Sequence, residues 1–147
     1  MMSVGKRLAF DYGSVRVGVA ATDFHAILAT PINFITNDEK LEDSINELLN
    51  ELQPTFIAVG LPKHLSGTQG SKYFEVMVFV DKLKDLTKVP IYGIDERFTT
   101  VSASGKLKET GRDSKSSKEI IDSAAAVEIL ESALLMEKSG ELANCEL

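Results

Sequence analysis

Short apolar runs alternate with amphipathic stretches from residue 8 onward, and the spacing switches between strand and helix periods. Leu8-Ala9-Phe10 is an apolar run closed by Asp11. After the turn residues Tyr12-Gly13-Ser14, the valines at 15, 17 and 19 alternate with Arg16 and Gly18, as in a strand with one buried face. These two segments predict a hairpin, and residues 31–35 predict a third strand. Leu41, Ile45, Leu48, Leu49 and Leu52 recur at helical spacing, with Asn37 or Asp38 as N-cap and Pro54 beyond the end. Residues 56–59 form a buried strand stopped by Gly60-Leu61-Pro62. Ser66-Gly67-Thr68-Gln69-Gly70-Ser71 is a loop feeding a second helix, whose apolar stripe is Tyr73, Val76, Met77, Val80 and Leu83. Residues 90–94 predict a strand ending in Asp95-Glu96. A short helix capped by Thr99 or Thr100 runs through Leu107. A polar, mobile loop covers 109–117, and a last helix runs from about Ser117 to Glu137, with Ala124, Ala125 and Ala126 allowing close packing.

The order β-β-β-α-β-α-β-α-α predicts an α/β fold: an antiparallel hairpin, then α/β units with parallel strands, giving a mixed five-stranded sheet flanked by helices. In such sheets ligands collect beyond the carboxyl ends of the strands. A length of 147 residues suits one domain, here 1–139, followed by a flexible tail over 140–147. The composition, 44% apolar and 26% charged, is globular. No stretch reaches the roughly 20 apolar residues of a membrane span. The first residues lack the long apolar region of a secretory leader, so the expected compartment is the cytoplasm. Cys145 stands alone, and with only His25 and His64 beside it a Cys/His zinc site is excluded. The net charge of −6 argues against a protein that coats nucleic acid with its whole surface. The charge is uneven, however. Residues 104–118 carry five basic side chains against two acidic, while 38–51 carry six acidic against one basic.

Candidate chemistry follows from placement. Asp11 closes the first strand and Asp95-Glu96 the last. If those strands run parallel, their acids meet at one edge of the sheet. Asp122 has Ala125, Ala126 and Ile129 as its helical neighbours, so it stands near the packed side, where a carboxylate needs a partner. Each acid alone has an ordinary structural role, as a turn former, a cap or a surface charge. Together, three carboxylates suit Mg²⁺ or Mn²⁺, which prefer oxygen ligands and can activate water against a phosphodiester. Asp95 and Glu96 point to opposite sides of an extended strand, so at most one serves. The glycine-rich loop lacks the Gly-Lys-Ser/Thr end of a P-loop, though its backbone N–H groups can meet a phosphate. Cations placed for a phosphate backbone are Arg16, Lys63, His64, Lys72, Arg97, Lys115 and Lys118.

With these residues in hand, the chain resembles the YqgF (RuvX-like) family of pre-16S rRNA nucleases, also described as Holliday-junction-resolvase-like. The matching segments are Asp11-Tyr12-Gly13 with Arg16-Val17-Gly18-Val19-Ala20, and Val59-Gly60-Leu61-Pro62 with Gly67-Thr68-Gln69-Gly70. Asp95-Glu96-Arg97-Phe98-Thr99-Thr100 and Ile121-Asp122-Ser123-Ala124-Ala125 complete them, in the family's order, across about residues 6 to 135. The resemblance implies a ribonuclease H-like fold and metal-dependent phosphodiester hydrolysis that matures the 5′ end of 16S rRNA. It places the catalytic, metal-binding acids on Asp11, Glu96 and Asp122, with Asp95 as the alternative to Glu96. It departs at Val15, where the family often has a basic residue, and at Ser71-Lys72, where it usually has Pro-Arg.

The partner expected is nucleic acid, pre-16S rRNA ahead of branched DNA, with a possible association with the ribosome, no membrane, and a monomer or weak homodimer. Two other readings stay open: a resolvase of branched DNA, and a non-cleaving RNA-binding factor in ribosome assembly. Actin-like ATPases share an Asp-x-Gly hairpin, but their paired domains exceed this length.

Overall fold

The computed structural model describes residues 4–62, 70–95 and 114–147, and for 114–122 it describes the backbone. Five strands form one sheet: β1 (Arg7–Asp11), β2 (Arg16–Thr22), β3 (Ala29–Thr36), β4 (Phe56–Leu61) and β5 (Ile91–Asp95). Among the described residues three helices flank it: α1 (Leu41–Leu52), α2 (Ser71–Leu86) and α3 (Ser114–Ser139). The strand order is β3-β2-β1-β4-β5. β1 pairs antiparallel with β2, and β2 with β3. β1, β4 and β5 run parallel. The mixed sheet expected from the sequence is therefore present, and the carboxyl ends of β1 and β5 share an edge.

The sheet divides two apolar layers. Leu8, Phe10, Val17, Val19, Ile57 and Val59 meet α1 and α2 on one face. Ala9, Ala20, Ala58 and Ile94 meet Ala126, Ile129, Leu130 and Ala133 of α3 on the other. Small side chains on this second face let the helix backbone lie close to the strands. It also explains why β2 departs from a one-sided strand: both its faces are covered, from Val17 through Thr22. Val15, expected inside, is 66% exposed in the turn.

The direction of α3 is fixed by contacts at Glu137 and Ser123. Near its C-terminus Glu137 pairs with the fully buried Arg7 at the start of β1, Nη2 to Oε2 at 2.7 Å. The Arg7 guanidinium also donates to the Gly5 carbonyl. Fourteen residues before Glu137, Ser123 donates to the Ile32 carbonyl at 2.6 Å and accepts a long 3.5 Å bond from the Val19 N–H. Val19 is the partner of Phe10. α3 thus runs antiparallel to β1, and its first turns reach the edge where β1 ends.

Several local expectations change. α3 begins at Ser114, so the loop expected over 109–117 gives way to helix at 114–117. The short helix expected through Leu107 lies outside the described residues. α1 has Lys40 as N-cap with no side-chain cap. Asp38 instead accepts from the Lys40 N–H, and Asn37 donates to the Gly13 carbonyl at 2.8 Å. In α2, Phe79 joins the buried stripe and stacks edge-on against Phe10. Where the sequence suggested a flexible tail after Gly140, the chain forms a single 3-10 turn, Leu142–Cys145, with Leu142 buried. The Leu147 N–H donates to the Ile91 carbonyl at 2.8 Å, and Glu146 bridges to Tyr92. Burial of Leu142, packing of the partly buried Leu147 and pairing along β5 hold this segment in place.

Candidate active site

Alternation along the strands decides which carboxylates share a face. On β1, Leu8 and Phe10 point to α1 and α2, and Tyr12 beyond the strand joins them against Phe79. Arg7 and Ala9 point to α3. Asp11 therefore falls on the α3 face, half-buried at the strand end. On β5, Tyr92 and Ile94 belong to the α3 face and Ile91 to the opposite one. Asp95, also half-buried, alternates onto the face away from α3. It stands two strands from Asp11, about 10 Å across the sheet. The structure thus brings the ends of β1 and β5 to one edge but does not put Asp11 and Asp95 on one side of it.

Asp122 is positioned by its neighbour. Ser123 reaches the level of Phe10 through Val19 and Ile32, so the adjacent position 122 lies at the level where β1 ends. Helical spacing sets 122 in the row of Ala126, Ile129 and Ala133, all buried against the sheet. The backbone therefore brings Asp11 and position 122 together on one face. Positions 115 and 118 continue the same row, about 6 to 11 Å further along the axis. Glu96, Arg97, Lys63 and His64 lie outside the described residues, as do the side chains of Lys115, Lys118 and Asp122. Among the described residues no three acidic, histidine or cysteine side chains gather into a metal-sized group.

The hairpin turn after Asp11 is tightly built. A Cβ on Gly13 would lie 2.5 Å from the Arg16 carbonyl oxygen, so only glycine fits. Asn37 holds the same turn, through its side chain to Gly13 and its N–H to the Val15 carbonyl at 2.9 Å. Two expected phosphate contacts flank the edge. Lys72, in the first turn of α2, donates to the Tyr12 carbonyl at 2.7 Å and sits 5.6 Å from the Tyr12 ring. Arg16, at the start of β2, lies on the α3 face with Asp11, its Cζ 4.9 Å from the Phe34 ring centroid.

Sequence reasoning missed Ser123, Asn37 and Phe34. In the sequence Asn37 reads as a helix cap, and Ser123 stands next to a candidate acid inside a run of small residues. Phe34 carried no signal beyond being apolar in a short strand.

Comparison with known proteins gives this arrangement a context. Over residues 5–136 the chain matches the RuvX family, described as Holliday junction resolvase. A "Putative pre-16S rRNA nuclease" of Clavibacter michiganensis subsp. michiganensis is 38% identical over 141 residues, 94% of this chain and 88% of the relative. One of the same description from Streptomyces coelicolor is 40% identical, over 93% of this chain and 84% of the relative. Among solved structures, Thermus thermophilus RuvC in complex with Holliday junction substrate superposes with a TM-score of 0.66 at 13% identity, covering 97% of this chain and 99% of that one. The fowlpox virus Holliday junction resolvase gives 0.51 at 13% identity, covering 91% and 99%. These likenesses establish the fold, the ribonuclease H-like one expected from the sequence. None of the described helices is long and apolar enough to cross a membrane. The chain belongs to the RuvX family of nucleases, hydrolases of phosphodiester bonds.

Proposed function

We propose that this chain is a divalent-metal-dependent endonuclease that processes the 5′ end of pre-16S rRNA in the cytoplasm. One observation carries the reading: the strand register and the docking of α3 put Asp11 and position 122 at the same level on the same face. Asp11, Glu96 and Asp122 hold Mg²⁺ or Mn²⁺, and these oxygen donors fit such ions. When bound there, such an ion would supply an activated water and neutralise charge on the leaving oxygen. Asp95 falls on the face away from α3, which counts against it as the ligand and favours the alternative, Glu96. Arg16, Lys63, His64, Lys72, Arg97, Lys115 and Lys118 contact phosphates, which gives affinity without reading sequence. The relatives of 38–41% identity, all described as pre-16S rRNA nucleases, support RNA as substrate. The family description supports a second reading, cleavage of branched DNA.

The test is incubation of the chain with a 16S precursor transcript carrying its 5′ leader, in Mg²⁺ or Mn²⁺, beside Asp11→Ala. Trimming that needs both metal and Asp11 is expected. Undiminished trimming by a folded Asp11→Ala overturns the site. Cleavage of a four-way DNA junction, with the transcript untouched, selects the second reading.

A further inference from the structure

A β-bulge beside Asp11 exposes an aromatic ring to Arg16. Along the β2–β3 ladder Val17 pairs with Ile35, yet Val19 pairs with Ile32. Asn33 and Phe34 therefore stand opposite the single residue Gly18, which is itself the partner of Asp11. The extra residue has a directional effect. Ile32 and Ile35, three apart, both pack on the α1–α2 layer, which a regular strand forbids. Phe34, next to Ile35, turns to the opposite face, where α3 and Asp11 lie. There its ring meets the Arg16 guanidinium at 4.9 Å. Phe34 is only partly buried and belongs to neither apolar layer.

We infer that Phe34 is a positioning residue: its ring holds the Arg16 guanidinium on the Asp11 face, so that Arg16 meets a substrate phosphate beside the scissile bond. This rests on the nuclease reading above. A guanidinium loses little hydration when stacked on an aromatic face, and its N–H groups lie in its own plane, directed away from the ring. A long side chain held this way gives up less freedom when it binds phosphate than one that must be ordered from solution. The bulge supplies the ring without spending a core position on it.

The experiment measures affinity for the 16S leader transcript in Ca²⁺ by fluorescence anisotropy. Phe34→Leu is expected to weaken binding about 2- to 5-fold, the scale of an exposed cation–π contact. Phe34→Trp is expected to bind at least as tightly as the wild type, which a bulk-packing role would not produce. In an Arg16→Gln background Phe34→Leu is expected to change nothing further. Arg16→Gln lowers the salt slope of binding by about one, while Phe34→Leu leaves it unchanged. Equal weakening by Phe34→Leu in both backgrounds overturns the inference, as does loss of binding in Phe34→Trp with an unshifted melting temperature. Wild-type-like binding by Phe34→Leu overturns it as well. If the wild type itself fails to bind the transcript, the pre-16S rRNA reading falls first.

Discussion

Replacing Ser123 by alanine removes a single oxygen, and the structure says what that oxygen does. It lies 1% exposed between two strands, donating to the Ile32 carbonyl at 2.6 Å and accepting from the Val19 N–H at 3.5 Å. Val19 and Ile32 are register partners, so the hydroxyl is inserted between them where the ladder bulges. Without it a part-buried carbonyl loses this partner, at a cost of about 1–2 kcal/mol. The 3.5 Å contact is too long to add much. Alanine returns roughly 0.5 kcal/mol as the better helix former. The net loss is about 0.5–1.5 kcal/mol, or about 1–6 °C in melting temperature for a chain of this size. Urea unfolding followed by circular dichroism reads the stability. Turnover of the precursor transcript, taken well below both transitions, reads the geometry. The contact anchors the helix beside position 122, the proposed metal ligand; if that proposal holds, a shift of about 1 Å there costs about 100-fold in rate. A Ser123→Ala protein with the wild-type urea midpoint and slope would refute the reasoning. A less stable protein with unchanged turnover would show that the hydroxyl secures the helix without setting the acid.

Three further outcomes are expected. Glu137→Ala leaves the Arg7 guanidinium buried without its carboxylate, so urea unfolding should show a loss of about 3 kcal/mol or more. Gly13→Ala forces the backbone away from the Arg16 carbonyl, opening the hairpin turn; cleavage should drop at least tenfold with a smaller effect on melting. Asp23 accepts N–H bonds from Leu28, Ile27 and His25, which hold its carboxyl below the ordinary value of 3.8. Its folded pKa is depressed, so its contribution is full above about pH 4 and is lost as pH falls through the folded value. The stability advantage of the wild type over Asp23→Asn should therefore be constant at neutral pH and vanish in acid.

The sequence disclosed what local periodicity can carry. Alternation and helical spacing located β1, β4, β5 and the three described helices, and a strand ending in an acid marked Asp11. What it hid depends on neighbours that are distant along the chain. The bulge at Gly18 exists only as a mismatch between β2 and β3, and neither strand shows it alone. The face of Asp95 required knowing that Ile94 packs under α3, since alternation gives opposition between neighbours but not an absolute side. Ser123 reads as one more small residue on a close-packed helix. Its role comes from a carbonyl 91 residues earlier. Asn37 was legible as a polar residue before a helix, yet its amide is spent on the Gly13 turn, because the strand before it ends beside that turn.

The far edge of the sheet has a consequence for how copies of this chain behave together. An open edge strand offers unpaired N–H and C=O groups to any other strand it meets. On β5 that offer is withdrawn by the chain itself, since Glu146 and Leu147 lie along it and Leu142 fills the space behind. On β3, Pro31 removes one donor from the opposite edge. The last turn of the chain is thus a guard against self-association. Removing residues 141–147 would leave Ile91 and Tyr92 as a template for strand addition, and light scattering at micromolar concentration would report the aggregates that follow.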